Sequence, residues 1–253
     1  MAGIDGTKVA AAYLDQWSST REWCDEIDDW TAPSAVEGWS LRDLFAHLGL
    51  VASTIVSASD QVVDEPPLRV GDYLAAYADV ADGIDQNTRA VAASDAFLHA
   101  VDASAEQAES ALRSVGGNPV VNAPRGPIRW VDFLRTRCIE LTVHTDDLAR
   151  SVVSDGPAQS RPCLQVSTRA LADVLGWRAR GGSVEVRVPP FAAVQCVAGP
   201  RHTRGTPPAV VEMDPLTFCR LAAGRTSWDA AMASGALKTS GLRTDLTPYL
   251  PLL

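Results

Sequence analysis

Apolar residues recur every three or four positions through the first 150 residues, a spacing that is typical of amphipathic helices. The spacing predicts a first helix from Thr7 to about Trp30 and a second that begins after Ser40. A third is predicted to open at Asp72 and continue past Ile84, and a last long one to occupy residues 128–152. A short alanine-rich helix is predicted from about Ser104 to Gly116. Four long helices with modest loops predict an antiparallel bundle.

The pattern changes after residue 154. One helix is predicted at about residues 164–177, and three short strand-like runs follow at 183–188, 192–197 and 209–213. Short helices at 215–223 and 228–233 and a strand near 237–240 follow. The fold class is therefore predicted to be α+β with two domains, a helical bundle at 1–157 and a small α+β domain at 158–253.

Charge supports the same division. The chain has 253 residues and a net charge of −9. Residues 1–158 hold 25 acidic and 11 basic residues, a net of −14, whereas residues 159–253 hold 6 acidic and 11 basic residues, a net of +5. Because the chain as a whole repels a phosphate backbone, we predict no nucleic-acid partner.

The cysteines and the hydropathy of the chain indicate where in the cell the protein is expected. The five cysteines are widely spaced and form no C-x-x-C pair, so no disulfide framework is predicted. No apolar run reaches about 18 residues and the N-terminus lacks a signal-peptide core, so we predict a cytoplasmic protein with no membrane insertion. A monomer and a homodimer are equally compatible with the sequence.

Three residues have the chemistry and spacing of metal ligands. Glu140 and His144 lie four residues apart on the last helix, so their side chains stack on one face with Cβ atoms roughly 6 Å apart. His47 lies at the edge of the apolar stripe of the second helix. If these helices face each other, two imidazoles and a carboxylate converge, a donor set that suits zinc. The alternative is a solvated Glu-His pair and a packed histidine.

Neighbouring charges extend this candidate site. Arg137 falls near the middle of an apolar face, where a guanidinium needs an anionic partner: Glu140, another acidic residue or a substrate carboxylate. A structural ion pair or a side chain that reaches the surface is the alternative. Asp43 and Asp147 lie close enough in sequence to hydrogen-bond the outer nitrogens of His47 and His144.

A basic loop is the second candidate site. Arg201, His202 and Arg204 lie between glycine and proline residues that separate two predicted strands. Three clustered donors can bind an anionic substrate. They can equally form a basic hairpin that docks on the acidic N-terminal domain.

Two segments carry a family resemblance. Residues 38–48 (GWSLRDLFAHL) and 137–148 (RCIELTVHTDDL) resemble the mycothiol-dependent maleylpyruvate isomerase family, within the DinB-like superfamily of four-helix metalloproteins. In that family the matching residues bind a divalent metal, usually zinc, which implies the ligands His47, Glu140 and His144. A tryptophan often follows His-Thr in the family, whereas this chain has Asp146, so a different pocket wall is predicted. Residues 201–208, 211–216, 221–228 and 233–235 resemble bacterial sterol-carrier-like domains.

The resemblance implies a metal- and thiol-dependent isomerase or transferase. Zinc held by two neutral histidines and one carboxylate keeps a net charge of +1 and would bind a small thiol such as mycothiol as the thiolate. The thiol would add to a small electrophilic anion, with Arg137 or the basic loop holding a carboxylate. The alternatives are a non-catalytic carrier of an apolar ligand and a bundle whose metal is only structural.

Overall fold

The computed structural model describes residues 5–77, 80–153, 155–200 and 209–253. Its contacts divide the chain into two compact units, Met1–Cys163 and Leu164–Leu253. We keep the boundary between residues 157 and 158 as a proposal, because it leaves the helix Arg161–Arg178 whole within the second domain.

Helices dominate the described residues of the first unit. They are α1 (Gly6–Cys24), α2 (Leu41–Ser59), α3 (Val70–Ala75), α4 (Ala81–Ala92), α5 (Phe97–Ser114) and α6 (Trp130–Ser151). Helix α2 is central, because it packs against α4, α5 and α6, while α1 packs against α6. The mixed α and β fold with a helical N-terminal region, predicted from the apolar spacing, is confirmed.

Helix α1 is shorter than predicted. It ends at Cys24, with Asp25 as its C-cap, rather than near Trp30. Acidic residues at positions 25, 26, 28 and 29 follow directly. Because negative charge is unfavourable at the C-terminal end of a helix dipole, these residues favour termination there.

The third long helix of the bundle is α5, and its prediction was wrong in both position and length. The segment predicted as one helix from Asp72 is divided into the short α3 and the separate α4. Helix α5 instead extends over 18 residues, five of which are alanine, and buries Phe97, Val101, Ala108, Ala111 and Leu112. Alanine gives only a weak apolar signal in sequence, so the length of α5 was underestimated.

A β-hairpin replaces the loop predicted before the last helix. Strands β1 (Val120–Ala123) and β2 (Gly126–Arg129) pair antiparallel, with Val120 opposite Arg129. Pro124 and Arg125 form the two-residue connection, and Gly126 follows with a φ of +116°, which a side chain would strain. The hairpin contacts α2 and α6, so it places the Arg125 turn beside the helices that carry the candidate ligands.

Helix α2 is apolar enough to be compared with a membrane span. Among the described residues it alone has the length and hydropathy to cross a bilayer, with a mean hydropathy of 1.2. In the structure 61% of that stretch is buried within the protein. Buried helices in protein cores have the same length and hydropathy, so α2 is weak evidence for a span.

The close approach of α2 to α5 depends on Gly49. A Cβ atom at this position would lie 2.8 Å from Cγ2 and 3.2 Å from Cα of Val101. We therefore expect Gly49→Ala to lower the free energy of unfolding by about 1–3 kcal/mol, through overpacking between the two helices. Gly83→Ala is the control, because that glycine on α4 has open space around it and gains about 0.5–1 kcal/mol in helix propensity. Urea denaturation of both variants checks the prediction, and an equally stable Gly49→Ala would contradict it.

The second unit has the α+β pattern that the sequence predicts. Its sheet has the order β4-β3-β5-β6, in which β3 pairs parallel with β5 and the other pairs are antiparallel. The strands are β3 (Val184–Val188), β4 (Ala192–Cys196), β5 (Ala209–Met213) and β6 (Leu237–Gly241), and the helices are α7 (Arg161–Arg178), α8 (Pro215–Ala222) and α9 (Trp228–Ala233). Alternate residues of β3 are buried, as the apolar alternation predicts.

Candidate metal centre

The structure brings the three predicted ligands together inside the first unit. His47 comes from α2, and Glu140 and His144 come from successive turns of α6. One donor atom from each lies within 4.8 Å of the other two. Both histidine side chains are buried, and Glu140 is 13% exposed. The α2–α6 contact on which the sequence argument depended is therefore present.

The spacing of the donor atoms fits a single metal ion. Oε2 of Glu140 lies 3.7 Å from Nε2 of His47 and 3.5 Å from Nε2 of His144. Ligand atoms about 2.1 Å from one zinc ion, at the tetrahedral angle, are about 3.4 Å apart. In addition, Nε2 of His47 is buried and has no hydrogen-bond partner among the described residues. A divalent cation would satisfy this atom, so the residues present fit the group that the family resemblance implies.

The outer nitrogens of the two histidines are held differently. Nδ1 of His144 lies 3.0 Å from a carboxylate oxygen of the fully buried Asp147, the partner that the sequence suggested. A proton on Nδ1 directs the lone pair of Nε2 toward Glu140. Nδ1 of His47 lies 3.5 Å from the hydroxyl of Thr88 on α4.

Asp43 has a different role from the one suggested by sequence. Its carboxylate accepts hydrogen bonds from the backbone N–H and the hydroxyl of Ser40, at 2.9 and 2.6 Å, and completes a capping box at the start of α2. The first turn of a helix has free N–H groups that compete for a short acidic side chain. This local interaction explains why Thr88, and not Asp43, lies beside His47.

Electrostatics prepare the cluster to accept a cation. Burial lowers the pKa of His47, which favours the neutral imidazole that a metal requires. Burial alone would raise the pKa of Glu140, but the adjacent rings of His144 and His47 and the charge of Arg137 outweigh it, so this pKa is well below its ordinary value. Burial opposes protonation of His144, but Asp147 and Glu140 outweigh it and raise its pKa.

Two guanidinium groups lie on the other side of Glu140. Nη2 of Arg137 is 3.6 Å from Oε1 of Glu140, and Nη2 of Arg125 is 3.5 Å from the same oxygen. Their side chains are 4% and 5% exposed. Burial lowers the pKa of Arg137; the charge of Glu140 opposes this effect and the charge of Arg125 adds to it. The anionic neighbour predicted for Arg137 is thus Glu140, which it shares with a second arginine.

The remaining predictions fall elsewhere. Arg201, His202 and Arg204 lie outside the described residues, so their role as a substrate-binding loop stays a prediction. Asp146 is buried and pairs with Arg150 at 3.2 Å. All five cysteines are buried and free. Burial raises the pKa of Cys196 to about 11 and that of Cys24 above its ordinary value.

Sequence reasoning missed Arg125 and Thr88. Arg125 lies in a two-residue turn, and its local signal was the Pro-Arg-Gly sequence between two short apolar runs. Thr88 lies on α4, which the sequence pattern did not separate from the preceding helix. Both reach the site through tertiary packing, for which no spacing rule along the chain exists.

The fold and the cluster define a class: a helical bundle with a candidate metal centre, followed by a small α+β domain. The family model for the mycothiol maleylpyruvate isomerase N-terminal domain matches residues 13–149, and the model for bacterial SCP orthologues matches residues 160–252. Because the first model covers more than half of the chain, this chain belongs to the mycothiol maleylpyruvate isomerase N-terminal domain family. The resemblance inferred from sequence is confirmed.

Solved structures support the fold assignment over the length of the chain. The crystal structures of the mycothiol-dependent maleylpyruvate isomerase and of one of its histidine-to-alanine mutants have TM-scores of 0.60 and 0.62. In each case the match covers 94% of this chain and 93% of the other, at 17% sequence identity. At this identity the likeness concerns the fold alone. No curated protein matches the chain.

Proposed function

We propose that this protein is a zinc-dependent enzyme that uses a small thiol, such as mycothiol, for isomerisation or S-transfer on a small electrophilic anion. The observation that carries the proposal is the convergence of two imidazole nitrogens on one oxygen of Glu140, with Nε2 of His47 buried and unsatisfied among the described residues. Membership of a family described as mycothiol maleylpyruvate isomerase supports the choice of a thiol cosubstrate.

The chain's own residues would hold the metal and orient its ligands. His47, Glu140 and His144 supply three donors, the number that catalytic zinc sites use when they leave room for another ligand. When bound, zinc supplies a Lewis acid that lowers the pKa of an arriving thiol, so that the thiol binds as the thiolate at neutral pH. Asp147 fixes the ring of His144, and Thr88 lies against that of His47.

The nucleophile is proposed to come from outside the chain. Each of the five cysteines is buried; burial raises the pKa of Cys24 and Cys196, and the neighbouring Cys163 together with burial raises that of Cys138. A thiol in such an environment is a poor nucleophile at neutral pH, because the thiolate is the reactive form. The protein therefore supplies a site for a thiol and no activated cysteine of its own.

The proposed chemistry balances without an oxidant. The thiolate sulfur forms a bond to one carbon of an activated C=C bond, and the π electrons move into the adjacent carbonyl as an enolate. Rotation about the resulting single bond and return of the electron pair expel the thiolate and leave the geometric isomer. If a proton reaches the enolate carbon first, the stable S-conjugate is formed. In this proposal Arg137 would hold a carboxylate of the substrate.

Titration of the zinc-loaded protein with mercaptoethanol at neutral pH tests the proposal. We expect the ultraviolet absorbance of thiolate to rise to one equivalent per chain, because the protein's own buried thiols contribute little background. These thiols contribute little because the pKa values of Cys24, Cys138 and Cys196 are all raised, which keeps them protonated at neutral pH. Turnover of maleylpyruvate with mycothiol, followed by chromatography, then separates isomerisation from conjugation. Intact zinc with no thiolate signal would contradict the proposal and favour a structural metal.

The alternative function, a non-catalytic carrier of an apolar ligand, is tested with the same protein preparation. It draws support from the match of residues 160–252 to bacterial SCP orthologues. Mass spectrometry of an organic extract of the native protein would show a stoichiometric apolar ligand if the protein is a carrier. A co-purified lipid in protein that holds no metal would replace the enzymatic proposal.

A further inference from the structure

The two arginines beside Glu140 have more hydrogen-bonding capacity than the described residues satisfy. Nη1 of Arg125 and Nη2 of Arg137 are both buried and have no hydrogen-bond partner in the described part of the chain. Arg137 does donate to the hydroxyls of Thr136 and Thr54, at 3.2 and 3.3 Å. Leaving a charged donor buried and unsatisfied is costly, so such atoms point to a missing acceptor.

Aromatic rings hold both guanidinium groups in place. Cζ of Arg125 lies 4.6 Å from the ring centre of Tyr73 and 5.2 Å from that of Tyr77. Cζ of Arg137 lies 5.0 Å from the ring centre of Phe133. Stacking fixes the plane of a guanidinium and leaves its edge donors directed away from the ring. The donor edges of Arg125 and Arg137 are therefore fixed in position, and both guanidinium groups share the carboxylate of Glu140. Together they form a preorganised site for a second anion.

Two phenol groups add neutral donors near the same place. The hydroxyls of Tyr13 and Tyr73 are buried without a hydrogen-bond partner among the described residues. Both tyrosines interact electrostatically with Arg137. Tyr73, whose ring lies against Arg125, thus adds a buried and unsatisfied donor beside the two guanidinium groups, and an acceptor-rich ligand would satisfy several of these donors at once.

Glu140 joins this region to the metal-ligand cluster. Its Oε2 faces the two histidine nitrogens, whereas its Oε1 faces the two guanidinium groups. An anion held by the arginines is therefore separated from the metal-ligand cluster by the width of one carboxylate group. A ligand with a carboxylate close to its reactive carbon can span both positions.

The balance of charged side chains around the site also favours a carboxylate ligand. Three acidic and three basic side chains of the described residues lie in and around the site and balance each other: Glu140, Asp146, Asp147, Arg125, Arg137 and Arg150. A divalent cation would then leave two positive charges. A thiolate and one carboxylate neutralise both, whereas a thiolate alone does not.

We propose that Arg125 and Arg137 together form a carboxylate-binding subsite next to His47, Glu140 and His144. This inference rests on the proposed function, because it names the residues that would hold the anionic group of that site's substrate. Arg125, from the hairpin turn, is a specificity-determining residue in this arrangement. A planar guanidinium can donate two parallel hydrogen bonds to a carboxylate, which the ammonium group of a lysine cannot do.

Calorimetric titration with maleate, using full-length protein with and without zinc, tests the subsite. We expect Arg125→Gln to bind maleate roughly 10- to 100-fold more weakly than wild type, which corresponds to loss of a charge-assisted hydrogen bond. Arg125→Lys should bind maleate with intermediate affinity, because lysine keeps the positive charge but lacks the planar, bidentate donor group. It serves as the test variant if Arg125→Gln does not fold. Arg129→Gln, on the same hairpin but exposed, should bind like wild type. Dimethyl maleate, which has no charge, should not bind.

The outcomes separate this inference from the proposed function. Maleate binding to the zinc-free protein that depends on Arg125 supports the subsite even if the protein holds no zinc. Binding that needs zinc and is equal in wild type and Arg125→Gln overturns the subsite and leaves the metal proposal standing. If Arg125→Gln lowers the melting temperature and the zinc content while maleate affinity is unchanged, Arg125 has only a structural role and the inference is wrong.

Discussion

Replacing Glu140 by Gln is expected to abolish metal binding and to lower the free energy of unfolding of the chelated protein by about 3 kcal/mol. The reason is that Oε2 is the central donor of the cluster, while Oε1 is the shared anionic neighbour of Arg125 and Arg137. Without the carboxylate, two buried positive charges remain uncompensated, which costs several kcal/mol. Denaturation by urea in the presence of a chelator measures the loss of stability, and atomic emission measures the metal.

The pH dependence of the difference in unfolding free energy between wild type and Glu140→Gln gives a second test. Because the folded-state pKa of Glu140 is well below its ordinary value, its contribution is fully present above the unfolded pKa of about 4.3 and is lost as the pH falls through the folded value. The gap in stability between chelated wild type and Glu140→Gln should therefore narrow as the pH falls below about 4. Glu109→Gln removes an exposed ion pair with Arg113 and should cost less than 1 kcal/mol at any pH. A constant gap across this range would show that folding does not lower the pKa of Glu140.

Asp147→Asn is expected to weaken zinc binding by roughly 10- to 100-fold without removing any ligand. Asp147 is fully buried and lies 3.0 Å from Nδ1 of His144, so its charge fixes the ring and increases the basicity of the inner nitrogen. An amide at this position can accept the same hydrogen bond but carries no charge. Competition titration with a chromophoric chelator measures the affinity directly.

The control for this variant is Asp132→Asn. Asp132 lies on the same helix and pairs with Arg135 at 3.0 Å, but it is partly exposed and takes no part in the metal-ligand cluster. It should bind zinc with wild-type affinity. If Asp147→Asn also keeps wild-type affinity, the negative charge of Asp147 does not strengthen metal binding, and a neutral hydrogen-bond acceptor beside His144 is sufficient.

The parts of the fold that were predictable from sequence have strong local signals. Helix α2 begins directly after Ser40 and carries a continuous apolar stripe, and both features were predicted. The strands of the second unit lie within a residue or two of their predicted positions, and β3 alternates between buried and partly exposed side chains. Helix α5 was misjudged because alanine buries little apolar area and contributes little to the periodic pattern.

The site shows a similar division between local and tertiary information. His47, Glu140 and His144 were identified because i,i+4 spacing and an apolar stripe define which side chains share a face. Arg125 and Thr88 depend on the hairpin and on α4, neither of which the periodicity separated. Asp43 was misassigned because sequence proximity does not indicate that a helix N-terminus will satisfy the carboxylate first.

The central claim is that His47, Glu140 and His144 hold one divalent metal ion, and metal analysis of His47→Ala tests it most directly. His99→Ala is the matched control, because His99 is an exposed histidine on α5. We predict one zinc ion per chain in wild type and in His99→Ala, and none in folded His47→Ala. Wild-type protein without a stoichiometric metal, or His47→Ala protein that retains it, would contradict the account.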